Sequence, residues 1–220
     1  HCVGKGSPLA QQRSASAIRN ALLDDEMEQH AGLAEIQALV GGVIVGTPQT
    51  QSNAAAALAN VCATRSQARD YLKAAGGMGA LAALIASCTG QSMTGTGLLN
   101  SAILEAASAV RNACIGHAAN REDLMKSQGV SSFVKILACD SHVPASLRDK
   151  QTIMHEQVAG ALRNACNQHT GNCMQFAEAD GVNCMMRLLS SASVTVQEEV
   201  VGLIRNACVG YHGNKNQLTF

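Results

Sequence analysis

A short motif recurs along the 220-residue chain at intervals of 40 to 52 residues. Four copies read as an aliphatic residue followed by Arg-Asn-Ala, and a fifth reads Leu-Ala-Asn-Val. Regular spacing of this kind predicts a repeat protein, in which each unit buries its apolar face by packing against the next. The asparagines of the five copies are Asn20, Asn60, Asn112, Asn164 and Asn206.

A glycine and a cysteine keep the same register in several units. Gly77, Gly129 and Gly181 each stand 17 residues after one of these asparagines, and each precedes a short apolar block. In four of the five copies a cysteine follows the asparagine by two residues. The glycines are predicted to end a short helix in the left-handed conformation that glycine adopts without strain.

The apolar residues around each asparagine follow a helical period. Counted from Asn112, they fall at −9, −6, −5, −2, +1 and +2, which trace one face at 3.6 residues per turn. Three helices per unit are predicted, as in residues 120–128, 130–138 and 152–165. No sequence segment alternates apolar and polar residues long enough to predict a strand. The predicted fold class is therefore an all-α solenoid.

The array is predicted to span residues 8–220, with residues 1–7 as a flexible end or the tail of a preceding helix. Residues 87–97 and 140–150 hold the extra length of the two longest spacings and are predicted as surface loops. The repeat pattern starts and stops inside a unit, so we expect the array to be part of a longer protein.

Composition limits the partners that such an array would take. The 16 basic and 16 acidic side chains cancel, so the chain lacks the overall basic field of nucleic-acid or membrane-surface binders. Its longest strongly apolar stretch, residues 38–45, is far shorter than the roughly 20 residues that cross a bilayer. Aromatic residues make up 2% of the chain, so small and aliphatic side chains must fill the core. A protein or peptide partner is expected, with no nucleic acid and no membrane.

Nine cysteines are an odd number, which argues against a disulfide scaffold and favours reduced thiols. Cys62, Cys114, Cys166 and Cys208 share one repeat position on the apolar face and are predicted to pack in the core. An intracellular protein is expected, cytoplasmic by first choice, with nuclear or cytoskeletal placement as the alternatives.

Two Cys-x-x-His pairs, at 114–117 and 166–169, raise the question of a zinc site. The pairs lie one repeat apart, whereas a tetrahedral site needs four converging ligands. No base is evident beside any cysteine to activate it as a nucleophile. We therefore predict no metal, no cofactor and no catalytic residue. His117 and His169 stand where a third helix ends, where positive charge is favoured, and are predicted to cap or turn the chain.

Three helices in roughly 42 residues, the last ending in Leu-x-Asn, resemble the armadillo repeat. The matching segments are Ala-Ala-Ala-Ala-Leu-Ala-Asn at 54–60 and Val-Ala-Gly-Ala-Leu-Arg-Asn at 158–164. The resemblance covers residues 8–220 as four to five units. HEAT repeats are the alternative, but they have two helices per unit and lack this asparagine. The resemblance implies a right-handed superhelix whose third helices line a concave groove, where the asparagine hydrogen-bonds the backbone of an extended peptide.

The residue before each asparagine indicates which peptides this groove would take. It is Arg in four units and Ala59 in the remaining one. A row of Arg side chains suits carboxylates or phosphates, because a guanidinium binds them in a bidentate fashion. The predicted binding residues are Arg19, Asn20, Asn60, Arg111, Asn112, Arg163, Asn164, Arg205 and Asn206.

A structural interpretation of the same residues stays open. The asparagines would then tie adjacent units together, and the arginines would pair with acidic residues of neighbouring helices. Those acidic residues are Glu105, Glu156, Glu198 and Glu199.

Nuclear-import adaptors of the armadillo class carry Trp four residues before the asparagine, where it stacks on basic side chains of a localisation signal. This chain has no Trp, so that mode of recognition is not available to it. Its site chemistry is more similar to that of the adhesion and signalling class, such as the catenins, in which basic residues meet acidic extended partners. The residues at the Trp position are Ser16, Ala56, Ser108, Gly160 and Gly202.

The predicted function is a non-enzymatic interaction scaffold that binds an extended, acidic or phosphorylated segment along a groove lined by Arg and Asn. The alternative is a structural subunit of a large assembly, such as a cytoskeletal, axonemal or organellar complex, with no free peptide-binding role. An enzyme is a third hypothesis, which a pocket holding a perturbed carboxylate or histidine would favour.

Overall fold

The structure, a computed structural model, describes residues 32–89, 101–139, 145–191 and 193–218, together with the isolated positions Ser7, Arg13 and Ser16. Helices make up most of these ranges, and they contain no strand. The predicted all-α fold class is confirmed.

Twelve α-helices follow one another through the described ranges, and a single 3-10 turn, Ala145–Leu147, leads into the eighth. They are α1 (Leu33–Val45), α2 (Pro48–Thr64), α3 (Ser66–Ala74), α4 (Gly77–Thr89), α5 (Ser101–Ala113), α6 (Ala118–Lys126), α7 (Gly129–Leu137), α8 (Arg148–Cys166), α9 (Thr170–Glu178), α10 (Gly181–Ser191), α11 (Val194–Gly210) and α12 (His212–Asn216).

The helices repeat in sets of three, the first, second and third helix of a unit. Three sets are complete: α3 to α5, α6 to α8, and α9 to α11. The pair α1 and α2 takes the places of a second and third helix, and α12 takes the place of a first helix. Helices of equal rank pack side by side in chain order, so α2, α5, α8 and α11 form one continuous layer. We call it the third-helix layer.

Local signals fix where the helices begin. Thr47 caps α2 by accepting the Thr50 N–H at 3.3 Å, and Pro48 occupies the first helical position, where its missing N–H costs nothing. At the start of α1, the Glu35 carboxylate accepts the Gly32 N–H at 3.0 Å.

Small side chains pack the third-helix layer. Ala106, Ala107, Ala159 and Ala161 are fully buried, which allows neighbouring helices to approach closely. The cysteines that follow each motif lie in the same layer and are buried, so their predicted core packing is confirmed. They are Cys62, Cys114, Cys166 and Cys208.

Two predicted loops are shorter than expected. Helix α8 begins at Arg148, four residues before the predicted start, because the 3-10 turn passes directly into it and Asp149 complements its first turn. Helix α4 continues to Thr89, into the predicted loop 87–97. The remainder of that loop and residues 140–144 lie outside the described residues.

The repeated glycines do not have the predicted left-handed conformation. That conformation belongs to the preceding residue, Gln128 or Asp180, at φ of 55° and 61°. Gly129 and Gly181 are instead the first residues of α7 and α10. A Cβ added at Gly129 would overlap the side chain of Leu124 from the helix before it. Close packing between the first and second helix of a unit is therefore what requires glycine here.

Candidate functional site

The motif asparagines of the third-helix layer, Asn60, Asn112, Asn164 and Asn206, form a ladder of side chains one unit apart. In three of them the amide nitrogen donates to a backbone carbonyl of the preceding third helix. The acceptor always stands one residue before the asparagine of that helix. The bonds run from Asn112 to the Ala59 oxygen (2.9 Å), from Asn164 to the Arg111 oxygen (2.8 Å) and from Asn206 to the Arg163 oxygen (2.9 Å).

These bonds support the structural interpretation, but they use only part of each side chain. A carboxamide has two N–H donors and a carbonyl acceptor. One N–H makes the ladder bond, and within the described residues the carbonyl oxygens of Asn112, Asn164 and Asn206 accept nothing. All three side chains are partly exposed. Each one joins two units and retains hydrogen-bonding capacity for a ligand.

The structure does not describe the N-terminal end of the predicted row. Arg19 and Asn20 lie outside the described residues. Asn60 is partly exposed on α2, in line with the other three, and its neighbour Ala59 is buried. The row that the structure describes therefore runs from Asn60 to Asn206.

The arginines of the row are not all available. Arg111 and Arg163, on α5 and α8, converge on a single carboxylate, that of Glu199 on α11. Arg111 Nη2 donates to Glu199 Oε1 at 2.6 Å, and Arg163 Nη1 lies 3.0 Å from Oε2. The second contact is an ion pair without hydrogen-bond geometry, so Oε2 accepts no hydrogen bond from the described residues. Glu199 is only 9% exposed and is neutralised by these two cations.

A positional rule explains these contacts. The residue seven before the asparagine of one third helix reaches the Arg of the helix before it. Gln157 accepts from Arg111 Nη1 at 3.1 Å, and Glu199 pairs with Arg163 in the same way. Glu156 adds a longer contact to Arg111 at 3.9 Å. No described third helix follows α11, and Arg205 is exposed without an ion pair to any described residue.

Gly160 and Gly202 provide the space in which these arginines lie. Both stand four residues before a motif asparagine. A Cβ at Gly160 would lie 2.7 Å from Arg111 Nε, and one at Gly202 would lie 2.6 Å from Arg163 Cδ. The position that is Trp in nuclear-import adaptors is thus filled here by the arginine of the preceding unit.

A second row of asparagines, which sequence reasoning missed, joins the first helices. Each member stands eight residues after a ladder asparagine, is fully buried, and donates to two carbonyls of adjoining helices. The recurrence at +8 was the signal available in the sequence. The bonds run from Asn120 to Arg69 and Ala113, from Asn172 to Arg121 and Ala165, and from Asn214 to Cys173 and Ala207, all between 2.9 and 3.2 Å.

Comparison with solved structures places this architecture among known folds. A designed armadillo repeat protein superimposes with a TM-score of 0.76 over 98% of the chain and 83% of its own, at 20% identity. Computationally designed armadillo repeat proteins for modular peptide recognition give 0.77 at 20% identity, with the same coverage. A third, in complex with the peptide (KR)4, gives 0.73 at 21% identity over the same shares.

The chain has the armadillo-repeat fold. The predicted solenoid and its resemblance to armadillo repeats are confirmed at this level. No protein-family description matches the sequence, and no curated protein does so either.

In two units an arginine of the first helix caps the preceding third helix. Arg69 Nε donates to the Cys62 oxygen at 2.8 Å, and Arg121 Nε donates to the Cys114 oxygen at 3.0 Å. These cations meet the negative end of the helix dipole. Cys173 takes this position in the next unit.

His117 and His169 have the predicted capping role, but they cap the N-terminus of the following first helix and not the C-terminus of the third helix. Each is the N-cap of a first helix and accepts a backbone N–H through Nδ1, from Asn120 at 3.1 Å and from Asn172 at 3.2 Å. Nδ1 accepts this N–H through its lone pair. The proton then sits on Nε2, which faces a carboxylate of the preceding unit.

Those Nε2 contacts join successive first helices. His117 Nε2 lies 3.0 Å from Asp70 Oδ1, and His169 Nε2 lies 3.3 Å from Glu122 Oε2. A hydrogen bond from Lys126 is the largest influence that lowers the pKa of the Glu122 carboxyl, with a further contribution from His169.

In the part of the chain that the structure describes, no group of three or more His, Cys, Asp or Glu could hold a metal ion.

The motif cysteines are poor nucleophiles. Burial raises the pKa of the Cys62 and Cys114 thiols to about 12, which keeps both protonated at neutral pH. Both are free thiols, in agreement with the reduced state that was predicted.

A cavity of about 290 Å³ opens between α5 and α8 and is lined by Ser101, Leu104, Lys150, Ile153 and Met154. Ile153 stands eleven residues, about three turns, before Asn164 on the same side of α8. Ile153 therefore places one wall of the cavity on the side of α8 that carries Asn164. As for membranes, the described residues include no helix with the length and apolarity to cross a bilayer.

Proposed function

We propose that this armadillo array is a non-enzymatic scaffold that binds an extended peptide segment along the third-helix layer. The observation that carries the proposal is the set of partly exposed ladder amides, each with an unused carbonyl oxygen. Neighbouring helices pack about 8–10 Å apart, which an extended chain spans in about two to three residues. Asn60, Asn112, Asn164 and Asn206 would each bind the peptide backbone once per unit.

The comparisons support the peptide-binding part of the proposal. One of the designed proteins was solved with a peptide of Lys and Arg, and others are described as made for modular peptide recognition. The chemistry of the present groove differs, because arginines lie over Gly160 and Gly202. A basic peptide would be repelled at Arg205, which is exposed and forms no ion pair with a described residue.

The preferred segment is acidic or phosphorylated where it passes the C-terminal end of the row. Arg205 is exposed and unpaired among the described residues, and the Arg163 side chain keeps 36% of its surface exposed. Guanidinium groups bind carboxylates and phosphates through charge-assisted hydrogen bonds. The cavity between α5 and α8, beside Leu104 and Ile153, has room for a side chain of the same peptide segment.

A peptide array followed by fluorescence anisotropy tests this function. Acidic and phosphorylated peptides should bind, and Arg205→Glu combined with Arg163→Glu should weaken them by about tenfold or more. Lys135→Glu is the matched control, because Lys135 is exposed on α7, outside the third-helix layer. A preference for basic peptides, or equal effects of the groove and control variants, would contradict the proposal.

The second candidate is a permanent structural role in a large assembly, which one surface of α11 favours. Val201 is 58% exposed, whereas Ala107 and Ala159, at the same repeat position, are fully buried under the next unit. Val194 and Val209 extend this apolar exposure along the helix. Light scattering discriminates the two candidates, because a soluble monomer with peptide affinity supports the first and obligate association supports the second.

A further inference from the structure

Glu199 joins more units than any single ladder bond does. It lies on α11, yet its carboxylate contacts Arg163 on α8 and Arg111 on α5, 88 residues earlier in the chain. Its two oxygens take the positions that a ligand carboxylate would take between two arginines of the row. The contact to Arg111, at 2.6 Å, is short even for a charge-assisted bond.

We infer that Glu199 is an internal competitor for acidic ligands, which occupies Arg111 and Arg163 and confines acidic recognition to the Arg205 end of the row. The inference rests on the proposed function. It assigns Glu199 as the residue that sets how many acidic side chains the groove accepts.

The local charges support this role. Gln157 binds Arg111 Nη1 and Glu199 binds Nη2, so both ends of that guanidinium fork are engaged from within the chain. Glu156 lies 3.9 Å from Arg111. The two cations Arg111 and Arg163 therefore face two anions, Glu156 and Glu199. This part of the row has no net charge to offer, whereas Arg205 forms no ion pair with the described residues.

The arginines would stay in place without Glu199. Gly160 and Gly202 give each guanidinium stem a close-fitting surface, independent of the carboxylate. Glu199→Gln keeps the shape of the side chain and removes its charge. Two arginines on adjacent units would then face a bound segment, and acidic side chains about two to three residues apart in an extended peptide would reach both.

The test uses the full chain and a labelled hexaglutamate peptide, with hexaglutamine as the uncharged probe. Glu199→Gln is expected to bind hexaglutamate about tenfold more tightly than the unmodified chain, with a steeper salt dependence. Glu198→Gln is the matched control, because Glu198 is the adjacent residue and is exposed, and removes the same charge from the same helix. Equal tightening in both variants, or no tightening in Glu199→Gln, would overturn the inference.

The outcomes separate this inference from the proposed function. If hexaglutamate binding depends on Arg205 but ignores Glu199→Gln, the inference fails and the function stands. If only Glu199→Gln binds hexaglutamate, the inference stands and acidic binding by the unmodified chain fails.

A second measurement needs no variant and so does not depend on one folding. Phenylglyoxal modifies accessible arginines, and peptide mass spectrometry ranks their rates. The expected order in the unmodified chain is Arg205 first, then Arg163, then Arg111. Modification of Arg111 as fast as Arg205 would show that Glu199 does not occupy it.

Discussion

The side chain of Arg111 lies across Gly160, close enough that a Cβ there would be 2.7 Å from Arg111 Nε. Gly160→Ala is expected to be neutral or destabilising by up to ~2 kcal/mol, because crowding of about 1–3 kcal/mol outweighs a helix-propensity gain of about 1 kcal/mol. Urea unfolding measures the change.

Gly79→Ala is the control for that substitution. Gly79 also lies in a helix, but its nearest foreign atom is 3.6 Å away, an ordinary contact. Gly79→Ala should therefore stabilise the protein by about 0.5–1 kcal/mol. A stabilising effect at Gly160 equal to that at Gly79 would show that the arginine is not held there.

The two asparagine rows should differ in their contribution to stability. Asn164→Ala removes one hydrogen bond at a partly exposed site, and a loss of about 1 kcal/mol is expected. Asn172→Ala removes two bonds and leaves the buried Arg121 and Ala165 carbonyls without them, so a loss of about 2–4 kcal/mol is expected. Chemical denaturation of both variants checks the order, which equal losses would refute.

The histidine caps should be replaceable by a shorter acceptor. His169→Ala removes the acceptor for the Asn172 N–H and should cost about 1 kcal/mol. His169→Asn restores the cap but loses the contact to Glu122, so its melting temperature should fall between those of the unmodified and Ala proteins. A His169→Asn protein as unstable as His169→Ala would mean that capping is not what His169 supplies.

Buried thiols should make the fold sensitive to alkali. The pKa of Cys114 rises from 9.0 to about 12 on burial, so its thiol contributes stability that is complete below pH 9. Above pH 9 the unfolded thiol ionises while the folded one does not, and the contribution is lost progressively toward pH 12. The difference in unfolding free energy between the unmodified chain and Cys114→Ala should therefore shrink as pH rises. A difference that stays constant would contradict the burial argument.

The units could be predicted well from the sequence, because one asparagine per unit marks both the helix face and the register. Asn112 and its counterparts lie on the predicted third helices, and the four motif cysteines lie in the predicted core. The binding row was less predictable. Glu199 was named as an alternative partner, but its reach across α8 to Arg111 depends on how three helices stack.

Gly129 shows the same limit in a local feature. Glycine at a helix boundary predicts a left-handed cap, yet Gln128 takes that conformation and Gly129 makes room for Leu124. Conformational freedom and absence of a side chain are two properties of one residue type. Only the neighbouring helix determines which of them is used.

The ladder bond always runs from an amide of one third helix to a carbonyl of the helix before it. The stack therefore has a direction, because each unit presents a backbone carbonyl to the unit after it and an asparagine amide to the unit before it. A copy of residues 113–164 inserted after Asn164 would find matching groups at both new junctions. The arginine contacts would not be reproduced in the same way, because Gln157 serves one junction and Glu199 another. A longer chain made by such duplication would keep its architecture while its ligand preference changed, so length and specificity could evolve separately.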